Sequence, residues 1–348
     1  LFFISYFLIK KYIIMKKETT THTPETLREY ISHFQKSRIL LSAFELDIFT
    51  VIDKAPKTSA EVAKKIKANA RATDRLMNAT AALGFLEKKK GKFQNTKETS
   101  AYMVKGKPGY MSGLMHTISL WQTWSKLTES VIKGTSVYQR PKNINNRDTF
   151  WLEAFIGAMH YRAARQAPEI VSKVDMKGVK KVLDVGGGSG AFAMAFAKAG
   201  KGIKATVFDL PNVTPITLKY IHADKMNSKV DTSSGDYNKD PLPKGYDIIF
   251  LSAVVHINSY KGNVALIKKC ATSLNKGGRI IIQDWAMNED RTTPPGGAIF
   301  ALNMLVGTEE GDTYTEKEMR EWLEKAGMKF EKRIDTFMGN AIVIGRKK

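Results

Sequence analysis

Between residues 27 and 103 the apolar positions recur at helical spacing. Runs at 39–49, 58–66 and 73–84 predict a helix, a short helix and a longer helix in that order. Thr58 followed by Glu61 marks a capped start, and Gly84 marks a stop. Residues 85–94, Phe-Leu-Glu-Lys-Lys-Lys-Gly-Lys-Phe-Gln, read as two short strands about a basic turn, which completes a winged-helix arrangement. Residues 108–140, with Trp121 and Trp124, continue as connecting helices, and the polar, turn-rich 141–148 reads as a linker. A helix over 150–171 follows, with Trp151, Phe155 and Met159 four apart on one face; on spacing alone such a stripe is core.

Beyond residue 180 the period changes. Apolar strands at 182–185, 204–209, 246–255 and 279–283, with a short polar one before Ser234, alternate with helical runs. A capped helix from Thr315 stops at Gly327, and strands at 329–337 and 341–345 close the chain through Met338-Gly339-Asn340. That hairpin puts one antiparallel strand into an otherwise parallel sheet. The fold predicted is α/β: a Rossmann-like seven-stranded sheet over 141–348, preceded by a mostly helical winged-helix unit over 27–140 and an extension over 1–26.

A chain of 348 residues, 43% of them apolar, buries a sizeable core in two domains. The single cysteine, Cys270, lies in an apolar-periodic helix and cannot form an intramolecular disulfide, so a reducing, cytoplasmic setting is expected and the thiol reads as a small buried hydrophobe. Residues 1–14 are apolar but too short to span a bilayer, contain lysines and lack a small-residue cleavage site; Met15 reads as the natural start. The net charge of +21 raises nucleic acid as a partner. Residues 1–150 carry 26 Lys and Arg against 12 Asp and Glu, and the remainder 29 against 22, but the lysines are dispersed, as on solvated helix faces.

The chemistry concentrates after the first strand of the second half. Asp184-Val185-Gly186-Gly187-Gly188-Ser189-Gly190 joins a strand to a helix, so glycines permit a tight turn and a ligand can approach unpaired helix N–H groups. The spacing fits a nicotinamide dinucleotide or S-adenosylmethionine. Asp209, about twenty residues on, can accept ribose hydroxyls of either cofactor. Gly235-Asp236-Tyr237 can present a carboxylate to an adenine amine and favours adenosylmethionine. His256 and Asp284 follow the fourth and fifth strands, at the carboxyl edge where open α/β sheets bind ligands. No cluster of His, Cys and Asp has metal-ligand spacing, so no metal is expected.

Taken together, the glycine run, Phe208-Asp209-Leu210-Pro211, Gly235-Asp236-Tyr237, the strand into His256, Gly277-Gly278-Arg279 and the winged front end resemble the small-molecule O-methyltransferases of the plant caffeate/flavonoid and hydroxyindole type. The resemblance runs from Leu27 to the end. It implies an adenosylmethionine site lined by Gly186, Gly188, Asp209, Asp236 and Tyr237, with Asp184, Leu210, Gly235 and Ser252 counted beside them. It also implies a winged helix used for homodimerisation, and an acceptor ring sandwiched by Phe155, Met159 and Met304. The chain departs from the plant-type pattern at His256-Ile257-Asn258, where His-Asp-Trp is usual, and at Ser252, where many relatives carry lysine. Thr313 stands where those relatives place a second glutamate, with Glu309 and Glu310 nearby as substitutes.

A phenol with a pKa near 10 needs a base at neutral pH, and imidazole is suited to the task. His256 is the expected general base and Asp284 its orienting partner. Two other readings use the same residues: a winged-helix DNA-binding regulator that senses adenosylmethionine, and a family member that has lost methyl transfer.

Overall fold

The computed structural model describes residues 22–138, 147–336 and 339–348. Four features expected from the sequence fall outside them: the apolar tract 1–14 with Met15, residues 141–146 of the linker, Phe337-Met338 of the closing hairpin, and the side chain of Trp151. The chain divides into two compact units between Ile118 and Ser119.

In the first unit, α1 (Pro24–Glu45) is capped at Thr23, which exchanges hydrogen bonds with Thr26. Asp47 at φ +61° breaks the helix before α2 (Ile48–Val51). Thr58 and Glu61 cap α3 (Ser59–Ile66) reciprocally, as their spacing predicts. After α4 (Ala70–Ala82), strands β1 (Leu86–Lys89) and β2 (Lys92–Asn95) pair antiparallel about Lys90-Gly91, and α5 (Lys97–Met103) follows. Phe44, Ile48, Phe49, Val62, Met77 and Phe93 fill the core of this unit. On one face of α1, Leu27, Tyr30, Ile31 and Phe34 are 47%, 64%, 72% and 54% exposed.

Helices α6 (Leu114–Trp124) and α7 (Leu127–Lys133) lead on. From Ser119 on, this segment belongs to the second unit and is tied into it. Trp124 Nε1 donates to Asn303 (2.9 Å), Thr135 Oγ1 to the Glu309 carbonyl (2.9 Å) and Ser136 Oγ to the Val306 carbonyl (2.8 Å).

The second unit continues with α8 (Arg147–Ser172), β3 (Lys181–Val185), α9 (Ala191–Lys198), β4 (Lys204–Asp209), α10 (Thr214–Ala223), β5 (Val230–Ser234) and β6 (Tyr246–Ser252). Then come α11 (Tyr260–Ser273), β7 (Leu274–Met287), α12 (Pro295–Gly307), β8 (Tyr314–Thr315), α13 (Glu316–Lys325), β9 (Met328–Asp335) and β10 (Asn340–Lys347). Seven strands run in the order β5-β4-β3-β6-β7-β10-β9, and the two-residue β8 adds an eighth beside β7. On that path β10 alone runs opposite to the other strands, as the closing hairpin predicts. Both sheet faces are buried, one under Leu251, Ile267, Ile282 and Trp322, the other under Phe192, Phe196, Phe250 and Ile344. Cys270 is fully buried, and its burial pushes the thiol pKa up to about 12. Among the described residues no helix is long and apolar enough to cross a membrane.

Candidate active site

The turn from β3 into α9 holds Gly186, Gly188 and Gly190 at φ +68°, +55° and +76°. Side chains rarely adopt that region, and at Gly186 space forbids one as well: a Cβ would stand 2.7 Å from Val254 Cγ2. The turn is braced from several sides. Gly186 N–H donates to the Phe208 carbonyl (2.8 Å), Gly188 N–H to Asp209 Oδ2 (2.8 Å), and Thr217 Oγ1 to the Gly188 carbonyl (2.5 Å).

Two carboxylates flank this turn. Asp184 is 1% exposed; its Oδ2 accepts the Ala193 N–H at 3.1 Å, while its Oδ1 is buried without a hydrogen-bond partner. Burial pushes its pKa up to about 7, the Ala193 N–H opposes this, and Asp209 adds to it. Asp209 also titrates above the usual range through burial, against the N–H groups of Gly188 and Leu210. Each Asp209 oxygen accepts one N–H and so keeps capacity for a ribose hydroxyl. An orphaned buried carboxylate oxygen, a free acceptor edge and a side-chain-free turn together fit a cationic nucleoside such as S-adenosylmethionine.

Gly235 closes against the strand end, where a Cβ would stand 2.5 Å from Phe208 Cζ. Half-buried Asp236 receives the Asn238 N–H at 2.9 Å and lies 3.4 Å from Lys239 Nζ. Tyr237 is pushed up to about 12 by burial and remains a neutral phenol. Leu210 is 42% exposed beside Asp209.

The strand into His256 is shorter than the sequence predicts. It ends at Ser252, whose hydroxyl donates to Gln283 Oε1 (2.5 Å); Ala253 then sits at φ +56°, and Val255–Ile257 form a 3₁₀ turn. Asp284 lies inside β7 rather than at its end. Even so, Gln283 is the last residue of β7 paired with β6, so the carboxylate emerges where that parallel ladder stops. His256 Nδ1 stands 2.9 and 3.0 Å from the two Asp284 oxygens, and Asp284 Oδ1 also accepts the Trp285 N–H (2.8 Å). Both side chains are buried, 8% and 3% exposed. The His256 loop adjoins the glycine turn through Val254 against Gly186, and Asn258 Oδ1 accepts from the Tyr237 hydroxyl at 3.5 Å.

Phe300 meets the His256 ring edge to face at 4.9 Å, with Trp285 tilted against it at 5.9 Å. The sequence reading missed both, although Gly297, Phe300 and Met304 share one face of α12 by their spacing. Met304 is buried; Phe155 and Met159 are half-buried on α8, where Phe155 packs with Ile156, Val213 and Ile216. Thr313 is buried and donates to the Gly297 carbonyl, whereas Glu309 and Glu310 are exposed, so the acid in contact with His256 is Asp284. Among the described residues no three His, Cys, Asp or Glu side chains are grouped to hold a metal ion.

Comparison with known proteins places this geometry. Residues 124–329 match the O-methyltransferase domain and residues 28–105 the O-methyltransferase dimerisation domain. The 3-hydroxy-5-methyl-1-naphthoate 3-O-methyltransferase of Streptomyces sahachiroi is 30% identical over 310 residues, 87% of this chain and 89% of that one. The tetracenomycin polyketide synthesis 8-O-methyl transferase of Streptomyces glaucescens is 26% identical over 344 residues, 96% of this chain and 99% of that one. Human N-acetylserotonin methyltransferase, solved in complex with SAM, superposes with a TM-score of 0.79 at 25% identity, covering 94% of this chain and 99% of that one. With its dimerisation domain, its glycine turn at the edge of a Rossmann-like sheet and these relatives, the chain belongs to the S-adenosylmethionine-dependent O-methyltransferase family.

Proposed function

We propose that the protein methylates a hydroxyl of a small aromatic acceptor, with His256 as general base. The observation that carries this reading is the His256–Asp284 pair, buried beside the glycine turn. Asp284 holds Nδ1 and leaves Nε2 to take the acceptor's hydroxyl proton. As the proton moves, the buried carboxylate stabilises the imidazolium, and the surrounding apolar side chains keep water from the nucleophile. When bound, S-adenosylmethionine supplies the electrophilic methyl group. Asp184, Gly186, Gly188, Asp209, Leu210, Gly235, Asp236, Tyr237 and Ser252 are assigned to hold it.

Phe155, Met159 and Met304 are assigned to the acceptor, for which thioether and aromatic surfaces suit a flat ring. The naphthoate and tetracenomycin activities of the two Streptomyces relatives support an aromatic acceptor. Helices α1, α3 and α4 with the β1–β2 hairpin support a winged helix that pairs two copies of the chain, over 27–140 as the sequence delimits it. A cytoplasmic setting suits the buried Cys270 thiol.

The test is incubation of the full chain with methyl-labelled S-adenosylmethionine and a panel of phenols and hydroxynaphthoates, followed by mass spectrometry. Label on an acceptor oxygen is expected. Transfer only to amines or carbon, or adenosylhomocysteine binding without any turnover, would overturn the reading.

A further inference from the structure

His160 takes no part in the chemistry described above, yet it bridges two regions assigned to different ligands. It lies on α8, one residue after Met159 and five after Phe155. Its Nδ1 is 2.9 Å from Ser189 Oγ, inside the glycine turn. Ser189 is 3% exposed, so its hydroxyl has little access to water in place of the histidine. The imidazole also stacks on Tyr220 of α10, with ring centroids 4.1 Å apart and planes 26° apart. Burial lowers the imidazole pKa, with Asp224 opposing, so the ring stays neutral and hydrogen-bonds the hydroxyl as donor or acceptor.

The surrounding contacts make this a latch. Gly157 faces the Tyr220 hydroxyl, which would stand 3.5 Å, an ordinary contact distance, from a Cβ there. Ile156 packs with Val213 and Ile216, and its Cδ1 would lie 3.7 Å from a Cβ on Gly188. Glu153 pairs with Lys219 at 2.7 Å. Most of these contacts hold α8 to α10. Among the described residues, the His160–Ser189 bond is the side-chain hydrogen bond between α8 and the glycine turn itself.

We infer that His160 is a positioning residue that transmits occupancy of the cofactor turn, through Ser189, to the helix bearing Phe155 and Met159. This rests on the cofactor and acceptor assignments proposed above. A ligand that orders the turn would then order the acceptor wall before any acceptor arrives, which disposes the enzyme to bind its cofactor first.

Hydrogen exchange on the full chain tests this with S-adenosylhomocysteine as the probe. In the natural protein, saturating adenosylhomocysteine should slow exchange across residues 152–165 by roughly fivefold or more, the lower end of ordinary coupling between sites. His160→Ala and Ser189→Ala should lose that slowing while still giving a calorimetric binding signal. His160→Asn, whose amide can reach the position of Nδ1, should restore it. A merely structural histidine would leave the ligand-induced difference intact in both alanine variants. Equal slowing in His160→Ala and the natural protein, or none in the natural protein despite measurable binding, overturns the latch and leaves the cofactor assignment standing. Absence of any binding heat in the natural protein overturns both.

Discussion

His256 Nδ1 addresses both oxygens of Asp284, at 2.9 and 3.0 Å, from a position 28 residues earlier in the chain. A carboxylate placed this way selects the tautomer with the proton on Nδ1 and presents Nε2 as the free base. The pairing is set by the sheet, through the register of β7 beside β6 that places Asp284.

Replacing His256, the proposed base, should separate chemistry from binding. His256→Ala and His256→Gln are expected to lower kcat by about two to four orders of magnitude with adenosylhomocysteine affinity nearly unchanged. Asp284→Asn should be milder in the same direction, because the ring remains but loses its anionic partner. Steady-state kinetics and calorimetry check this. Unchanged turnover in His256→Gln, with the acid limb of the pH–rate profile retained, would remove His256 from the mechanism.

Asp209 is expected to carry much of the cofactor affinity. Asp209→Ala should weaken adenosylhomocysteine binding by about 1.5–3 kcal/mol, the scale of charge-assisted hydrogen bonds, and it also frees the Gly188 N–H. Titration calorimetry measures the change. The natural protein should show no heat with NADH, and micromolar NADH binding would contradict the assignment.

Asp184 gives a pH dependence whose sign follows from burial. Its folded pKa, about 7, lies above the unfolded carboxylate value near 3.9. Its contribution thus favours folding fully below about pH 4 and is lost as pH rises through about 7. Asp184→Asn, which cannot ionise, should shift unfolding stability more favourably at pH 8 than at pH 5, by on the order of 2 kcal/mol. Thermal melts of the ligand-free protein at the two pH values decide it. An equal shift at both would show that Asp184 does not titrate in this window.

The exposed apolar positions of α1 predict how the chains pair. Leu27, Tyr30, Ile31 and Phe34 follow helical spacing yet stay exposed within the dimerisation domain. Sedimentation should find a dimer at micromolar concentration, and Ile31→Asp with Phe34→Asp should move the population toward monomer. A double variant that stays fully dimeric would place the interface elsewhere.

Features encoded by neighbours in the chain were legible without the structure. Gly186 and Gly188 announce the turn because glycine adopts its φ values far more readily than other residues, and Thr58 with Glu61 announces a cap by spacing alone. Asp209 and His256 were found because they follow apolar strands. Partnerships across the chain were hidden. Nothing near Ser189 points to His160, 29 residues earlier, and nothing near Trp124 points to Asn303, to which its indole N–H donates. The end of β6 was also misplaced: Ala253 is an ordinary strand residue by type, and its φ of +56° arises only where its N–H meets the Gln283 carbonyl.

β10 occupies an interior place in the sheet, between β7 and β9, and sets Ala341 opposite Asp284. During synthesis β7 leaves the ribosome some fifty residues before that neighbour does, at roughly 5–20 residues per second. For those seconds the strand bearing Asp284 has β6 on one side and an open edge on the other, and β9 has nothing to pair with. The far side of the strand that bears Asp284 is thus among the last parts of the sheet to be covered, although β6 and β7, which set Asp284 beside His256, are already made.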